Sequence, residues 1–164
     1  MATDTPTFTD LLKTPVHLLA FGFGSGLAPK APGTVGTLAA IPLYLLMTPL
    51  PLLAYVVVTL ILSLAGIWLC GKTADDMGVH DHGGIVWDEF CGFLITMIAV
   101  PVTWYWVLIG FALFRLFDIW KPWPIRFFDK SVHGGWGIMV DDLIAGAMAW
   151  AVIQGLLLAG SGGF

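Results

Sequence analysis

Every charged side chain in this sequence falls in one of three windows, Asp4 to Lys30, Lys72 to Glu89 and Arg115 to Asp142; the stretches between and after them carry none. A soluble domain carries about 25% charged residues spread over its surface, whereas this one is 11% charged and 58% hydrophobic. The pattern predicts an all-α, multi-pass integral membrane helical bundle as one domain over residues 1–164. Residues 1–15 form a leader, with a short interfacial helix over Thr7 to Leu12. The early polar residues and the lack of a long apolar run after a basic start predict no cleaved signal peptide.

The uncharged stretches set the expected spans. Ala31 to Gly71 is 41 residues long and is interrupted by Thr48-Pro49-Leu50-Pro51; since about 20 residues cross the hydrocarbon, it reads as a hairpin. Phe90 to Phe114, 25 residues broken at Pro101, is either one long span or a second, shorter hairpin. Only the hairpin keeps the second and third windows on one side. About five short spans follow, near 34–48, 52–71, 87–100, 103–118 and 141–159, with Trp104, Tyr105 and Trp106 in an interfacial belt. All seven Lys and Arg then share a face, which the positive-inside rule makes cytoplasmic.

Within that frame, Gly84 to Gly92 (Gly-Ile-Val-Trp-Asp-Glu-Phe-Cys-Gly) and Gly137 to Gly146 (Gly-Ile-Met-Val-Asp-Asp-Leu-Ile-Ala-Gly) each place an acidic pair at the start of an apolar run. One such pair is explained by carboxylates favouring helix N-termini; two on one framework predict a shared site. Asp88, Glu89, Asp118, Asp141 and Asp142 are hard oxygen donors without a well-placed thiolate, which points to Mg2+ rather than zinc. Adjacent helical residues diverge by about 100°, so one member of each pair is expected to bind metal while its neighbour serves it. With phosphate oxygens completing the set, such a metal polarises phosphorus and activates water.

Arg115 to Asp129 interleaves charges with aromatics. Arg115 and Asp118 share a helix face, which an ion pair explains; Lys121 follows at the same spacing before Pro122, and the stripe of Arg115, Asp118 and Lys121 suits a phosphorylated lipid headgroup beside a metal, with Arg115 and Lys121 as candidate substrate contacts and Lys30 and Arg126 as companions. Trp120, Trp123, Phe127 and Phe128 read as interface anchors. Phe21 to Leu38 holds five glycines, two prolines, three hydroxyls and a lysine, and is expected not to be a regular helix. It reads either as a phosphate cradle, with Ser25, Gly33 and Thr34 as candidate contacts, or as a tight re-entrant turn. In the second window Asp75, Asp76, His80 and Asp81 are expected to face solvent, and His82 is the candidate acid/base. Cys70 and Cys91 lack ligand spacing and read as core residues.

Taken together, Gly-Phe-Gly-Ser-Gly-Leu-Ala-Pro, Ala-Pro-Gly-Thr-Val-Gly-Thr, Gly-Val-His-Asp-His-Gly, Ile-Val-Trp-Asp-Glu-Phe-Cys-Gly, Arg-Leu-Phe-Asp-Ile-Trp-Lys-Pro-Trp-Pro-Ile and Val-His-Gly-Gly-Trp-Gly-Ile-Met-Val-Asp-Asp resemble the phosphatidylglycerophosphatase A family from about His17 to Gly155. The resemblance implies a Mg2+-dependent phosphatase of the bacterial inner membrane that converts phosphatidylglycerophosphate to phosphatidylglycerol and inorganic phosphate in phospholipid biosynthesis. Neither the paired-histidine signature of lipid-phosphate phosphatases nor the CDP-alcohol phosphotransferase pattern is present. The alternative is a small divalent-cation transporter, disfavoured because uncharged spans leave no relay across the bilayer. A net charge of −4 argues against nucleic acid as a partner, and the oligomeric state stays open.

Overall fold

The computed structural model describes residues 6–79, 82–127 and 134–161, and every regular element among them is helical. Two short helices, α1 (Phe8–Lys13) and α2 (Pro15–Ala20), lead into a 3-10 segment, Gly22–Leu27. Then come α3 (Pro32–Met47), α4 (Leu52–Met77), α5 (Trp87–Thr96), α6 (Trp104–Trp120) and α7 (Gly134–Ser161). His80, Asp81 and Phe128 lie outside the described residues.

Helix α1 starts on a capping box, in which the Thr7 hydroxyl accepts from the Asp10 amide while Asp10 accepts from the Thr7 amide. It overlaps the expected short helix, shifted by one residue. Helix α4 runs past the expected end at Gly71, because Lys72-Thr-Ala-Asp-Asp-Met continues the helix with a Lys72–Asp76 ion pair one turn apart. It stops where Gly78 takes the left-handed conformation at φ 65°. Helix α7 likewise begins at Gly134, seven residues before the expected start.

Helix α5 is shorter than its expected span of 87–100. It has 10 residues, about 15 Å of rise against a hydrocarbon core of about 30 Å. Ala99 adopts φ 55°, and Pro101 biases the residue before it away from helix, so the chain turns there and returns as α6. Residues 90–118 thus form two helices joined by a turn, with the first too short to be the crossing expected of it. Apolar almost throughout, α5 is enclosed: Phe90, Phe93 and Leu94 are buried with Tyr44 of α3, Phe114 of α6 and Ile153 of α7. On its other side Trp87 and Cys91 join Leu69, Cys70 and Met139. Both cysteines are free and buried.

The outer surface is apolar. Leu46, Leu53, Leu64, Trp68 and Leu158 are each more than half exposed, and Trp104, Trp120 and Trp123 mark the two ends of α6, as interfacial indoles do. Two helices, Leu52–Met77 and Gly134–Gly160, are long and apolar enough to cross a membrane. At the apolar end of the bundle Trp150 and Gln154 of α7 donate to the Ile98 carbonyl, at 2.9 and 3.2 Å, and close the α5–α6 turn.

Candidate active site

The acidic pairs meet because α5 and α7 approach one another through glycine. A Cβ on Gly146 would lie 2.3 Å from the Gly92 carbonyl oxygen, so neither position tolerates a side chain, and Thr96 Oγ1, which donates to the Gly92 carbonyl of its own helix at 2.9 Å, also reaches the Gly146 carbonyl across the crossing at 3.4 Å. Glu89 stands three residues before Gly92 and Asp142 four before Gly146. Each is therefore one turn from the crossing, on the face turned toward the partner helix.

Asp118 arrives from the last turn of α6. Glu89, Asp118 and Asp142 each bring one carboxylate oxygen within 4.8 Å of the others. Glu89 and Asp142 are buried, at 9% and 3% exposure. Arg115, one turn before Asp118, reaches both: its Nη1 donates to Glu89 Oε1 at 3.1 Å and to Asp118 Oδ2 at 2.5 Å. Asp142 Oδ2 is buried without a hydrogen-bond partner among the described residues. A buried carboxylate oxygen left unsatisfied is costly. The three gathered donors are hard carboxylate oxygens with no thiol or imidazole among them, a set that fits Mg2+.

The remaining predicted residues fall around this cluster. Asp88 Oδ1 accepts from the Glu89 amide at 3.0 Å within the first turn of α5. Asp141 accepts from Lys121 Nζ at 2.7 Å. Lys121 is not the next rung of the Arg115–Asp118 stripe: α6 ends at Trp120, and Lys121 caps it with φ 45°, which swings its ammonium toward α7. Lys121 and Arg126, with Trp120, Pro122, Trp123 and Phe127, line an open recess of about 500 Å³. His82 lines a separate recess with Gly26, Pro29 and Pro32; its Nδ1 accepts from the Gly84 amide at 3.0 Å, which leaves the neutral ring's proton on Nε2. Lys30 is exposed, Asp75 and Asp76 sit on the exposed end of α4, and Asp76 also binds His17 Nε2 at 3.0 Å.

The glycine-rich stretch divides in two. Gly22–Leu27 is irregular, with Phe23 and Gly24 at φ 58° and 97°, and the Ser25 hydroxyl is buried there without a partner among the described residues. From Pro32 onward, against the expectation for the whole stretch, the chain is helical. Proline at the first helical position pre-sets the backbone, and Gly33, Thr34 and Gly36 lie in the first two turns of α3. Glu89 packs against this helix: a Cβ at Gly33 would lie 1.8 Å from its Oε1, and one at Gly36 would lie 2.6 Å from its Oε2. Gly36 was not singled out from sequence; its one signal is the Gly33-x-x-Gly36 spacing behind a helix-starting proline.

Residues 18–157 match the family described as phosphatidylglycerophosphatase A. The chain is similar to phosphatidylglycerophosphatase A of Escherichia coli (strain K12), 56% identical over 143 residues covering 87% of this chain and 83% of the relative. It is also similar to phosphatidylglycerophosphatase A of Haemophilus influenzae, 51% identical over 144 residues covering 87% and 88%. A Bacteroides thetaiotaomicron protein with the provisional name phosphatidylinositol-3-phosphatase is 41% identical over 145 residues, covering 83% and 89%. No solved structure matches the chain. Sequence motifs, the carboxylate cluster at one end of an apolar bundle, and identity over most of its length lead to one statement: the chain belongs to the phosphatidylglycerophosphatase A family of phosphatases.

Proposed function

We propose that the protein is a Mg2+-dependent lipid phosphatase that hydrolyses phosphatidylglycerophosphate to phosphatidylglycerol and inorganic phosphate at the cytoplasmic face of a bacterial inner membrane. The observation that carries this reading is the convergence of Glu89, Asp118 and Asp142 beside two cations at the one charged end of an otherwise apolar bundle. Glu89, Asp118 and Asp142 would hold the metal, which supplies Lewis-acid polarisation of the phosphoryl group and a more acidic bound water. Asp88 and Asp141 flank them. Arg115 orients two of the carboxylates, and Lys121 and Arg126, with Lys30 nearby, attract the phosphomonoester. The Ser25 hydroxyl and the α3 first turn at Gly33 and Thr34 back the site from the glycine-rich side.

In the reaction a water oxygen bonds to phosphorus and the ester P–O bond to glycerol breaks. The departing glycerol oxygen takes a proton, for which His82 is the candidate donor through its Nε2–H. Trp120, Trp123 and Phe127 hold the recess at headgroup depth, where one end of each ring is apolar and the other is wet. Helices α3 to α7 make the membrane-embedded body, with α5 as a partial insertion rather than a full crossing. Transport of a divalent cation is disfavoured, because the carboxylates occupy one end and no charged residue continues the path.

Phosphate release by purified protein from phosphatidylglycerophosphate, with and without Mg2+, tests the reading. Phosphatidylinositol 3-phosphate runs in parallel to measure headgroup strictness. Release that requires Mg2+ is expected; no release from the glycerol lipid, or undiminished release in excess chelator, overturns it. Single cysteines introduced at Lys30 and at Leu50 test sidedness in intact cells. A membrane-impermeant thiol reagent is expected to reach Leu50→Cys and not Lys30→Cys, and the reverse labelling sinks the cytoplasmic assignment.

A further inference from the structure

We propose that the bare face of α3 at Gly33 and Gly36 is a seat for Glu89 that sets how far its carboxylate reaches toward Asp118 and Asp142, which makes the two glycines positioning residues for the metal. This rests on the metal site proposed above.

Glycine weakens a helix relative to alanine, so two within the first two turns of α3 need a reason. Backbone conformation is not that reason: neither residue is among the positive-φ glycines, Gly22, Gly24, Gly78 and Gly134, and alanine suits the helical backbone at both. Space is the reason. The three atoms nearest a Cβ at Gly33 are Glu89 Oε1 at 1.8 Å, Glu89 Cδ at 2.9 Å and Arg115 Nη1 at 3.1 Å, all of them groups of the site. At Gly36 the nearest are Glu89 Oε2 and Val86 Cβ, both at 2.6 Å. The two positions are three apart and share one helix face, so that face lies against both carboxylate oxygens. Arg115 holds Oε1 at 3.1 Å, and Glu89 is thereby clamped between a cation and a helix backbone. Both the direction and the depth of the carboxylate follow from that clamp.

Gly33 is the cleaner probe, because the three atoms nearest its added methyl all belong to Glu89 and Arg115. Mn2+ serves as the spectroscopic stand-in for Mg2+, since carboxylate oxygens suit both. Mn2+ binding to the purified protein is read by electron paramagnetic resonance, beside the Mg2+ concentration for half-maximal phosphate release and the melting temperature without metal. Gly33→Ala is expected to weaken Mn2+ binding by about 10- to 100-fold, the usual cost of disturbing a group that orients a metal ligand, with the Mg2+ requirement rising in parallel and melting little changed. Glu89→Asp withdraws the carboxylate by one methylene. In wild-type background it is expected to weaken Mn2+ binding, whereas added to Gly33→Ala it restores part of what was lost. Gly155→Ala, where a Cβ meets nothing within 4 Å, is expected to leave all three readouts unchanged.

Unaltered Mn2+ binding in Gly33→Ala, or losses in the double variant that simply add, overturns the seat alone. Wild-type protein that takes up no Mn2+ overturns the seat together with the metal reading beneath it. If Gly33→Ala fails to fold, recovery of folding by Glu89→Asp supports the seat, and continued failure overturns it.

Discussion

The two acidic pairs look alike in sequence and differ in how the fold treats them. In each, the second member turns into the cluster and the first turns aside: Asp88 to the Glu89 amide, Asp141 to Lys121. The inner members, however, are not equivalent. Glu89 sits in the first turn of α5, near the positive end of the helix dipole, and Arg115 holds one of its oxygens. Asp142 lies in the third turn of α7, is 3% exposed, and has an oxygen with no hydrogen-bond partner among the described residues. Arg115 thus partners the inner acid of the first pair, and under the proposed function the bound metal would partner that of the second.

The largest expected effect is at Asp142. Asp142→Asn should lower kcat/KM by about a thousandfold, about 4 kcal/mol of transition-state stabilisation of the kind a metal supplies. Its melting temperature without Mg2+ should hold or rise, because a charge repelled by neighbouring carboxylates is gone. Glu89→Gln should also suppress turnover, but it removes a charge-assisted partner of Arg115 worth about 1.5–3 kcal/mol and should melt lower without metal. Thermal melts of the two variants with and without Mg2+ decide, and matching shifts in the metal-free protein would erase the distinction.

Among the outer members, Lys121→Met should cost about ten- to a hundredfold in kcat/KM, equivalent to about 1.5–3 kcal/mol for a charge-assisted phosphate contact. Because Lys121 and Asp141 are bonded, the double variant with Asp141→Asn should lose less than the sum of the single variants. A strictly additive double variant would show that the pair acts as two independent groups. The smallest loss, about tenfold or 1.4 kcal/mol, is expected for Asp88→Asn, since asparagine keeps an oxygen to accept the Glu89 amide. A loss at Asp88 equal to that at Asp142 would reverse the assignment of inner and outer members.

Much of this arrangement could be read from the chain before its shape was known. Gathering of charge into three windows foretold that Glu89, Arg115, Asp118 and Asp142 would share one end, and Pro101 foretold the turn that makes it possible. Which acid of each pair would face inward was not readable. A step of about 100° between neighbours leaves both options, and the choice is made by the Gly92–Gly146 crossing, a contact between residues 54 apart in the numbering. Helix ends went astray for local reasons, such as the Lys72–Asp76 pair that carries α4 onward. Lys121 was placed on the stripe of α6 because periodicity assumes the helix continues, and its left-handed φ ends it. Gly33 and Gly36 resembled a loop because glycine next to proline commonly marks one; their use as empty space needs the partner carboxylate to be seen.

The truncated α5 bears on lipid traffic. Because α5 has only 10 residues and its turn is closed by Trp150 and Gln154 on the Ile98 carbonyl, the interior beyond Asp142 is lined largely by packed rings and aliphatic chains. A phosphorylated headgroup has no hydrated route through such an interior. Under the proposed function, substrate would arrive from, and product leave into, one leaflet past the exposed flank of α6, where Leu116 and Ile119 face outward.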